Sequence, residues 1–451
     1  MRAGAAAFTM RAGMTTTATL PQPATLAQWL DYQQHVHALG VDLGLARVTE
    51  VWRRMGAPRI AEVVITVGGT NGKGSTVAFL EAILAAGGKR VGCYTSPHLL
   101  RYNERVRVDG SDVDDALLVD AFAHIERARH AHAEEVVPLT YFEFGTLAAL
   151  WIFAHAGLDV GVLEVGLGGR LDAVNIVDPD VAIVTTVDLD HQDWLGDSRD
   201  AIAREKAGIF RTGRPAVIGD ADAPAALAEA ARAISARAIV AGSDYRVEAG
   251  PGPDWTLRFG ADRTLVVAAP TLAAPVQRAN AAAAIVALLA LEDRLRLPTD
   301  AFSRGVRAAR VPARLQQIAL RGGVTLVVDV AHNPQAARVL AQWLAQHPPR
   351  GGNRFVFGAL ADKDVAAIFG AIAPQGGCWH LCGLDRESPR GLPAAALAER
   401  IGAHAEVLHA DVTGALDAAA HAAGAGDRII AFGSFFVAAA ALAWAADRND
   451  G

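Results

Sequence analysis

Cysteine is scarce: three residues in a chain of 451 cannot build a disulfide framework. Cys378 and Cys382 stand three residues apart rather than two, which is not the spacing of common zinc and redox pairs. A disulfide-stapled domain is thereby excluded, and a reducing cytoplasm is the natural setting. An excess of one charge is also missing. With 42 basic and 48 acidic residues the net charge is -6, so no global field draws the chain to nucleic acid or anionic lipid, and any phosphate site must be local. Long apolar runs are absent too. The most membrane-like stretch, residues 429–446, is interrupted by Gly433-Ser434 and is largely alanine, which suits a strand, a turn and a buried helix better than a span. At the N-terminus Arg2 and Arg11 bracket an alanine-rich stretch too short for a secretory signal. Residues 1–15 are expected to form a disordered extension, with Met10 and Met14 as alternative starts.

Length alone, at roughly 150 residues per domain, would give about three domains; the pattern reduces this to two. Residues 62–67 are a β-branched run ended by Gly68-Gly69, and a helical pattern follows from Ser75 to Leu84 with Val77, Leu80 and Leu84 in phase. Gly87-Gly88 stops the helix and residues 90–95 resume as a strand, making a βαβ unit. Apolar runs at 160–165 and 181–187 lack polar alternation, as parallel strands covered on both faces do. The reading is an open, mostly parallel α/β sheet. Residues 219–270 look less regular, with Gly250-Pro251-Gly252-Pro253 as a turn cluster between a helical stretch and short strand candidates, and are expected to decorate this first domain. After an alanine-rich helix at 280–291 the chain passes Pro298 and Pro312, and strand–helix alternation restarts at 324–328 and 355–358. This predicts a larger α/β domain over 16–311 and a smaller α/β domain over 312–451.

The strongest chemical signal is Gly69-Thr70-Asn71-Gly72-Lys73-Gly74-Ser75-Thr76 between a predicted strand and helix. Glycines let backbone N–H groups turn toward phosphate, the helix N-terminus adds positive potential, and Lys73 offsets charge on the outer phosphates. Because Gly74 separates Lys73 from Ser75, the strict P-loop pattern is broken, and the general motif does not say which hydroxyl meets a metal. Ser96, Glu164 and His191 fall where parallel strands should end, the place where ligands of open α/β sheets collect. Together they could hold magnesium on nucleotide phosphates; singly, His191 reads as a structural histidine and Glu164 as a helix cap. Lys206 by itself reads as a surface lysine. Asp329-Val330-Ala331-His332-Asn333-Pro334 closes a second-domain strand at a ligand crevice, and Arg314 lies between the domains, where a phosphate contact and an interface ion pair are equally open.

Taken together, these strings resemble the folylpolyglutamate synthase family of the Mur ligase group, and within it the bifunctional dihydrofolate synthase/folylpolyglutamate synthase branch. The match runs along nearly the whole chain: Asp42-Leu43-Gly44-Leu45, the GTNGKGS loop, Ser96-Pro97-His98-Leu99 with Tyr102-Asn103-Glu104-Arg105, Leu139-Thr140-Tyr141-Phe142-Glu143, residues 163–175 (LEVGLGGRLDAVN), Leu189-Asp190-His191, residues 204–208, and residues 329–334. The resemblance implies an N-terminal P-loop ATPase domain and a C-terminal Rossmann-like domain. It implies Mg2+ ligation by Ser96, Glu164 and His191, and phosphate binding by Gly69, Thr70, Asn71, Gly72, Lys73, Gly74 and Ser75. Asn280, Arg314, Asp329 and His332 would surround ATP. Lys206 matches a family lysine that can be carbamylated to organise a second metal. Asp42, Leu43, Thr140, Tyr141, Phe142, Glu143, Leu171, Asp172 and Ala173 match the parts that receive the pterin substrate. Two departures stand out: Pro312-Ala313-Arg314-Leu315 where relatives often read Pro-Gly-Arg-Phe, and Gly433-Ser434-Phe435-Phe436 where they often read Gly-Ser-Phe-His.

The implied activity is that of an amide-bond-forming ligase: ATP activates a carboxylate as an acyl phosphate, and L-glutamate displaces the phosphate. Lys73, Glu164, His191, Lys206 and Arg314 would carry the chemistry, with dihydropteroate and tetrahydrofolates as acceptors. The chain is expected to act as a monomer, without nucleic acid or membrane. The alternatives are a folylpolyglutamate synthase alone, a peptidoglycan Mur ligase, or a P-loop switch that binds nucleotide without glutamate-dependent turnover.

Overall fold

The computed structural model describes residues 23–40, 42–132, 136–250, 252–402 and 407–449; the extension expected over 1–15 lies outside them. Eight strands form the first sheet: β1 (Val63–Gly68), β2 (Val91–Tyr94), β3 (Val106–Val108), β4 (Ser111–Asp112), β5 (Val160–Glu164), β6 (Val181–Val184), β7 (Pro215–Ile218) and β8 (Arg237–Val240). Their order is β4-β3-β2-β5-β1-β6-β7-β8. The pairings are parallel except where β3 and β4 add an antiparallel edge. The predicted βαβ unit is present, but β5 is inserted between its two strands, pairing Val160 with Val63 on one side and with Val91 on the other.

Every residue of β1, β2, β5, β6 and β7 is buried, because helices cover both faces. On one side Ile65, Val67, Val162 and Ile183 pack against the helices Lys73–Ala86 and Gln277–Leu289. On the other, Val64, Leu163, Ala182 and Ile218 pack against the helices Asp115–Arg129 and Tyr141–Ala156. This is why these strands read as unbroken apolar runs. Residues 219–270, read as less regular with a helical stretch and short strand candidates, contain a helix over Ala225–Ala233 and a three-stranded antiparallel sheet of β9 (Tyr245–Ala249), β10 (Trp255–Phe259) and β11 (Arg263–Val267). Trp255 and Leu257 point inward between outward Thr256 and Arg258, an alternation too short and too polar to give the strands' bounds from the sequence.

The second sheet has the order β12-β13-β17-β14-β15-β16, from β12 (Gln316–Ala319), β13 (Thr325–Val328), β14 (Asn353–Phe357), β15 (Cys378–Cys382), β16 (Val407–His409) and β17 (Arg428–Phe432). Only the β12–β13 pairing is antiparallel. After β17 come Gly433-Ser434 and a helix over Phe435–Asn449, so the membrane-like stretch is a strand, a turn and a helix. Among the described residues no helix is long and apolar enough to cross a membrane.

The helix Lys73–Ala86, which carries the lysine of the glycine loop, is apolar all round: Val77, Phe79, Leu80, Ile83 and Leu84 are all buried. It lies between the sheet and the helix Thr299–Ala308, which approaches so closely that a Cβ on Gly305 would fall on the main chain of Ile83. Gly305→Ala should therefore push the two helices apart. Overpacking of this kind costs about 1–3 kcal/mol, to be read as a lower urea midpoint at unchanged m-value; an unshifted midpoint would show that the helices separate freely.

Candidate active site

The carboxyl ends of the two sheets look at each other. Beyond β1 the backbone turns through Gly69-Thr70-Asn71-Gly72 into the helix at Lys73. Gly72 has φ +86°, and a Cβ there would lie 2.6 Å from Asn280 Oδ1, so the turn and the packing both require glycine. The loop is tied to the end of β6: Thr70 N donates to Thr186 O at 2.8 Å and Asn71 N to Thr186 Oγ1 at 3.0 Å. Lys73 Nζ folds back to donate to the carbonyls of Gly69 (3.0 Å) and Thr70 (3.3 Å). Ser75 is buried and accepts from Gln277 Nε2 at 3.3 Å, and Gln277 Oε1 in turn accepts from Asn280 Nδ2.

This loop lines a cavity of about 660 Å³ that also receives Ser96, Glu164, His191, Lys206, Asn280, Arg314, Asp329 and His332. Glu164, 4% exposed at the end of β5, accepts one hydrogen bond from the Ser96 amide at 3.3 Å; burial raises its pKa, and Lys73 only partly offsets that. His191 sits in the left-handed region at φ +51°. Its withdrawal into the cleft lowers its pKa to about 4, even though its side chain keeps 38% exposure. Lys206 corrects the surface reading: it is 3% exposed, and among the described residues no carboxylate lies within ion-pair distance. Burial, then nearby Lys73, pulls its ammonium down to about 7. Arg314 likewise has no acidic ion-pair partner among the described residues; its guanidinium lies 5.6 Å from the centre of the Phe435 ring. Asp329 lines the cavity, but both its oxygens are taken by backbone amides, from Leu315 and Ala331 at 2.8 Å each.

A second cavity of about 1020 Å³ is lined by Asp42, Leu43, Thr140, Phe142, Glu143, Leu171, Asp172 and Ala173. Tyr141 is the one residue of the expected substrate set that does not line it. As the first residue of its helix it turns away, with its ring 5.5 Å from the Arg105 guanidinium. Thr140 caps that helix: its hydroxyl accepts from Glu143 N at 3.2 Å, while Glu143 Oε2 accepts from Thr140 N at 2.8 Å. Asp172 is buried, which raises it to about 6, against hydrogen bonds from the amides of Leu167 and Val174. Arg47 fastens Asp42 to Glu143, at 2.6 and 3.3 Å.

The two cavities share Ser96, Pro97, Arg105, Gly166, Leu167, Asp190, His191, Lys363 and Arg390 as boundary. Sequence reasoning missed Arg105, Gln277 and Lys363 as site residues. Arg105 was visible only inside a longer string, and an isolated Gln or Lys carries no motif. Across the boundary Lys363 Nζ donates to Asp190 Oδ1 at 2.7 Å, both side chains being under 10% exposed. Burial alone would raise Asp190, but the His332 imidazole 3.6 Å away and the Lys363 charge hold it below the usual carboxylate range. Asn71 and Asn333 join their amides in both directions, at 3.2 and 3.0 Å.

Ser96 and Glu164 offer oxygen and His191 nitrogen, but no group of three or more His, Cys, Asp or Glu converges among the described residues. Such a sparse set with a buried, under-bonded carboxylate fits a hard divalent cation that takes its remaining ligands from phosphate and water. The pair of cavities can thus hold a nucleotide triphosphate on one side and an elongated acid on the other.

Residues 67–249 match the Mur ligase middle domain, and residues 313–435 the Mur ligase glutamate ligase domain. Dihydrofolate synthase/folylpolyglutamate synthase from Escherichia coli is 42% identical over 93% of this chain and 95% of its own length. The structure of E. coli FolC in complex with DHPP and ADP superposes with a TM-score of 0.88 at 41% identity, covering 95% of this chain and all of that one. A bifunctional folylpolyglutamate synthase/dihydrofolate synthase with Mn, AMPPNP and L-glutamate bound gives 0.85 at 43% identity, covering 94% and 99%.

The shifted lysine makes a testable statement about pH. An unfolded lysine keeps its proton to about 10.4, whereas Lys206 releases it near 7 in the folded protein. Between those values the unfolded chain binds the extra proton, so stability rises with pH across the window, and the full cost of the buried ammonium is present below it. Lys206→Met should therefore stabilise the protein most at about pH 6 and hardly at all near pH 10. Urea unfolding across that range measures it, and a pH-independent difference would contradict the assignment.

Proposed function

The chain belongs to the dihydrofolate synthase/folylpolyglutamate synthase family of the Mur ligases, and from that premise we propose that its two cavities are the two halves of one ligase site. The protein is an ATP-dependent ligase that adds L-glutamate to folate-type acids. The observation that carries the site assignment is the shared boundary: an acid lying in the second cavity presents its carboxylate where the glycine-loop cavity begins.

A carboxylate oxygen attacks the γ-phosphorus of ATP, the bond to the β–γ bridging oxygen breaks, and its electron pair leaves with ADP. The amine of L-glutamate then attacks the acyl carbon, the bond to phosphate oxygen breaks, and the amine proton is lost as the amide forms. Residues 69–75 cradle the phosphates. Lys73 leaves its carbonyl partners to meet the γ-phosphate, and Arg314 approaches from the other sheet with Asn280 and His332 around the nucleotide. Asp329 acts indirectly, by fixing the Arg314 turn. Ser96, Glu164 and His191 hold Mg2+, which when bound neutralises phosphate charge. Asp42, Leu43, Thr140, Phe142, Glu143, Leu171, Asp172 and Ala173 receive the pterin end, with Tyr141 behind them. Burial of the site keeps water from the acyl phosphate.

Both 7,8-dihydropteroate and tetrahydrofolates are taken as acceptors, by a cytoplasmic monomer whose ATPase and ligase units divide at about residue 311. Purified protein given ATP, labelled glutamate and either acceptor should form both products. Labelling of tetrahydrofolate alone would restrict the reading, and nucleotide binding without transfer would replace it with a switch. Lys73→Ala should lower turnover by at least about 100-fold at unchanged melting temperature. A loss of less than about threefold, equivalent to about 0.7 kcal/mol, rejects the lysine's role.

Lys206, whose ammonium burial pulls down to about 7, keeps a substantial share of neutral amine near neutral pH and is suited to add carbon dioxide: the amine forms the N–C bond, a proton is released, and the carbamate offers an oxygen ligand for a hard metal. Labelled carbon dioxide should give a carbamate carbonyl NMR signal that is absent in Lys206→Ala. That variant should lose activity and regain part of it with a short carboxylate; a silent spectrum with unimpaired Lys206→Ala turnover would refute the modification.

A further inference from the structure

We infer that Arg105 is the residue that grips the acceptor's carboxylate during activation, an inference that rests on the ligase reading above. Four positive or potentially positive side chains stand on the boundary shared by the two cavities: Arg105, His191, Lys363 and Arg390. Lys363 is committed to Asp190 at 2.7 Å, and Arg390 to Asp362 at 2.7 Å. His191 is taken up by the metal in the reading above, with Ser96 and Glu164. Arg105 alone of the four is a permanent cation with no carboxylate within ion-pair distance among the described residues.

Its surroundings hold it ready. Arg105 closes the short helix Tyr102–Arg105 and is 8% exposed. Its Nε donates to His98 Nδ1 at 2.8 Å. The Tyr102 and Tyr141 rings lie 5.2 and 5.5 Å from the guanidinium carbon, stabilising the cation without neutralising it. One edge of the guanidinium is thereby fixed, the Tyr94 hydroxyl stands beside it, and among the described residues no acid takes up its terminal nitrogens. A buried cation so arranged lacks its anion.

The reaction supplies one at that place. An acceptor whose heterocycle fills the second cavity ends in a carboxylate, which must stand at the boundary to reach the γ-phosphate. With one carboxylate oxygen on Arg105, the other is left to attack phosphorus, and the bond to the β–γ bridging oxygen breaks with its electrons going to ADP. When the amine adds to the acyl carbon, negative charge develops on the oxygen that Arg105 already holds, so the same contact serves both steps. This also gives Tyr141 a role: it positions Arg105 instead of touching the heterocycle.

The test compares wild type with Arg105→Gln and Arg105→Lys in the full-length chain. With wild type turning over dihydropteroate, ATP and glutamate, Arg105→Gln should lose about 100-fold or more in kcat/KM, at unchanged melting temperature and unchanged AMPPNP affinity. Arg105→Lys, which keeps the charge but not the fork, should fall between them. By calorimetry, Arg105→Gln should bind dihydropteroate at least about tenfold more weakly, while 6-hydroxymethyl-7,8-dihydropterin, which lacks the carboxylate, binds both proteins alike. A change of less than threefold in turnover, or equal weakening of the two ligands, overturns the inference. Failure of wild type to transfer glutamate would overturn the ligase reading instead, and the calorimetric comparison would still decide whether Arg105 reads a carboxylate.

Discussion

Asp190 stands at the junction of the two sheets, and the site takes its shape from what that carboxylate holds. Lys363 reaches it from the loop after β14, His332 and Asn333 from the loop after β13, and Asn333 continues to Asn71 in the glycine loop. Through these contacts the ends of β1, β6, β13 and β14 are fixed relative to one another. A polar junction is what the fold demands there. Each sheet buries its own faces against helices, so only the strand ends, with their loops and side-chain amides, remain to join the halves.

Closing the strand ends against one another withdraws water from every ionisable group between them, and the shifts follow from that single cause. Glu164 and Asp172 move up, and Lys206 and His191 move down, each toward its neutral form. Asp190 moves the other way because the His332 imidazole and the Lys363 ammonium, the latter at 2.7 Å, outweigh its burial. A cleft with weakened carboxylate charge, a neutral amine and uncommitted arginines is prepared for an anion and a hard cation arriving together. Arg105 and Arg314 approach it from opposite sheets, each leaning on aromatic rings where an acid would have cancelled its charge.

The turn that presents Arg314 is strained on both sides: Ala313 has φ +54° and Leu315 φ +48°. Left-handed backbone costs an alanine or leucine about 1 kcal/mol or more. It persists here because Leu315 N is held by Asp329, Ala313 N by Gln316 Oε1, and both side chains are buried. This is the point at which the chain departs from the glycine often found in relatives. At the other departure, Phe436 lines the first cavity where an imidazole often stands, adding apolar wall and no titrating group.

Much of this was legible in the sequence because its signals are local. The strand–glycine loop–helix unit, the strand ends that carry Ser96 and Glu164, and the strand–turn–helix at 428–449 each follow from periodicity and glycine placement within a few residues. The helix after residues 329–334 opens on Asn333 as its cap and Pro334 in its first turn, a local signal that went unread. The small sheet at 245–267 showed only as short strand candidates, without bounds or pairing, because its alternation is brief and its outer face polar. The insertion of β5 between β1 and β2 escaped because strand order depends on pairings between residues some seventy or more apart in the chain. Burial of Lys206 and the uncommitted state of Arg105 were beyond reach for the same reason. Residue type and spacing state which charges exist, whereas their partners and their access to water are settled only when distant strand ends meet, and at those sites that is what decides the chemistry.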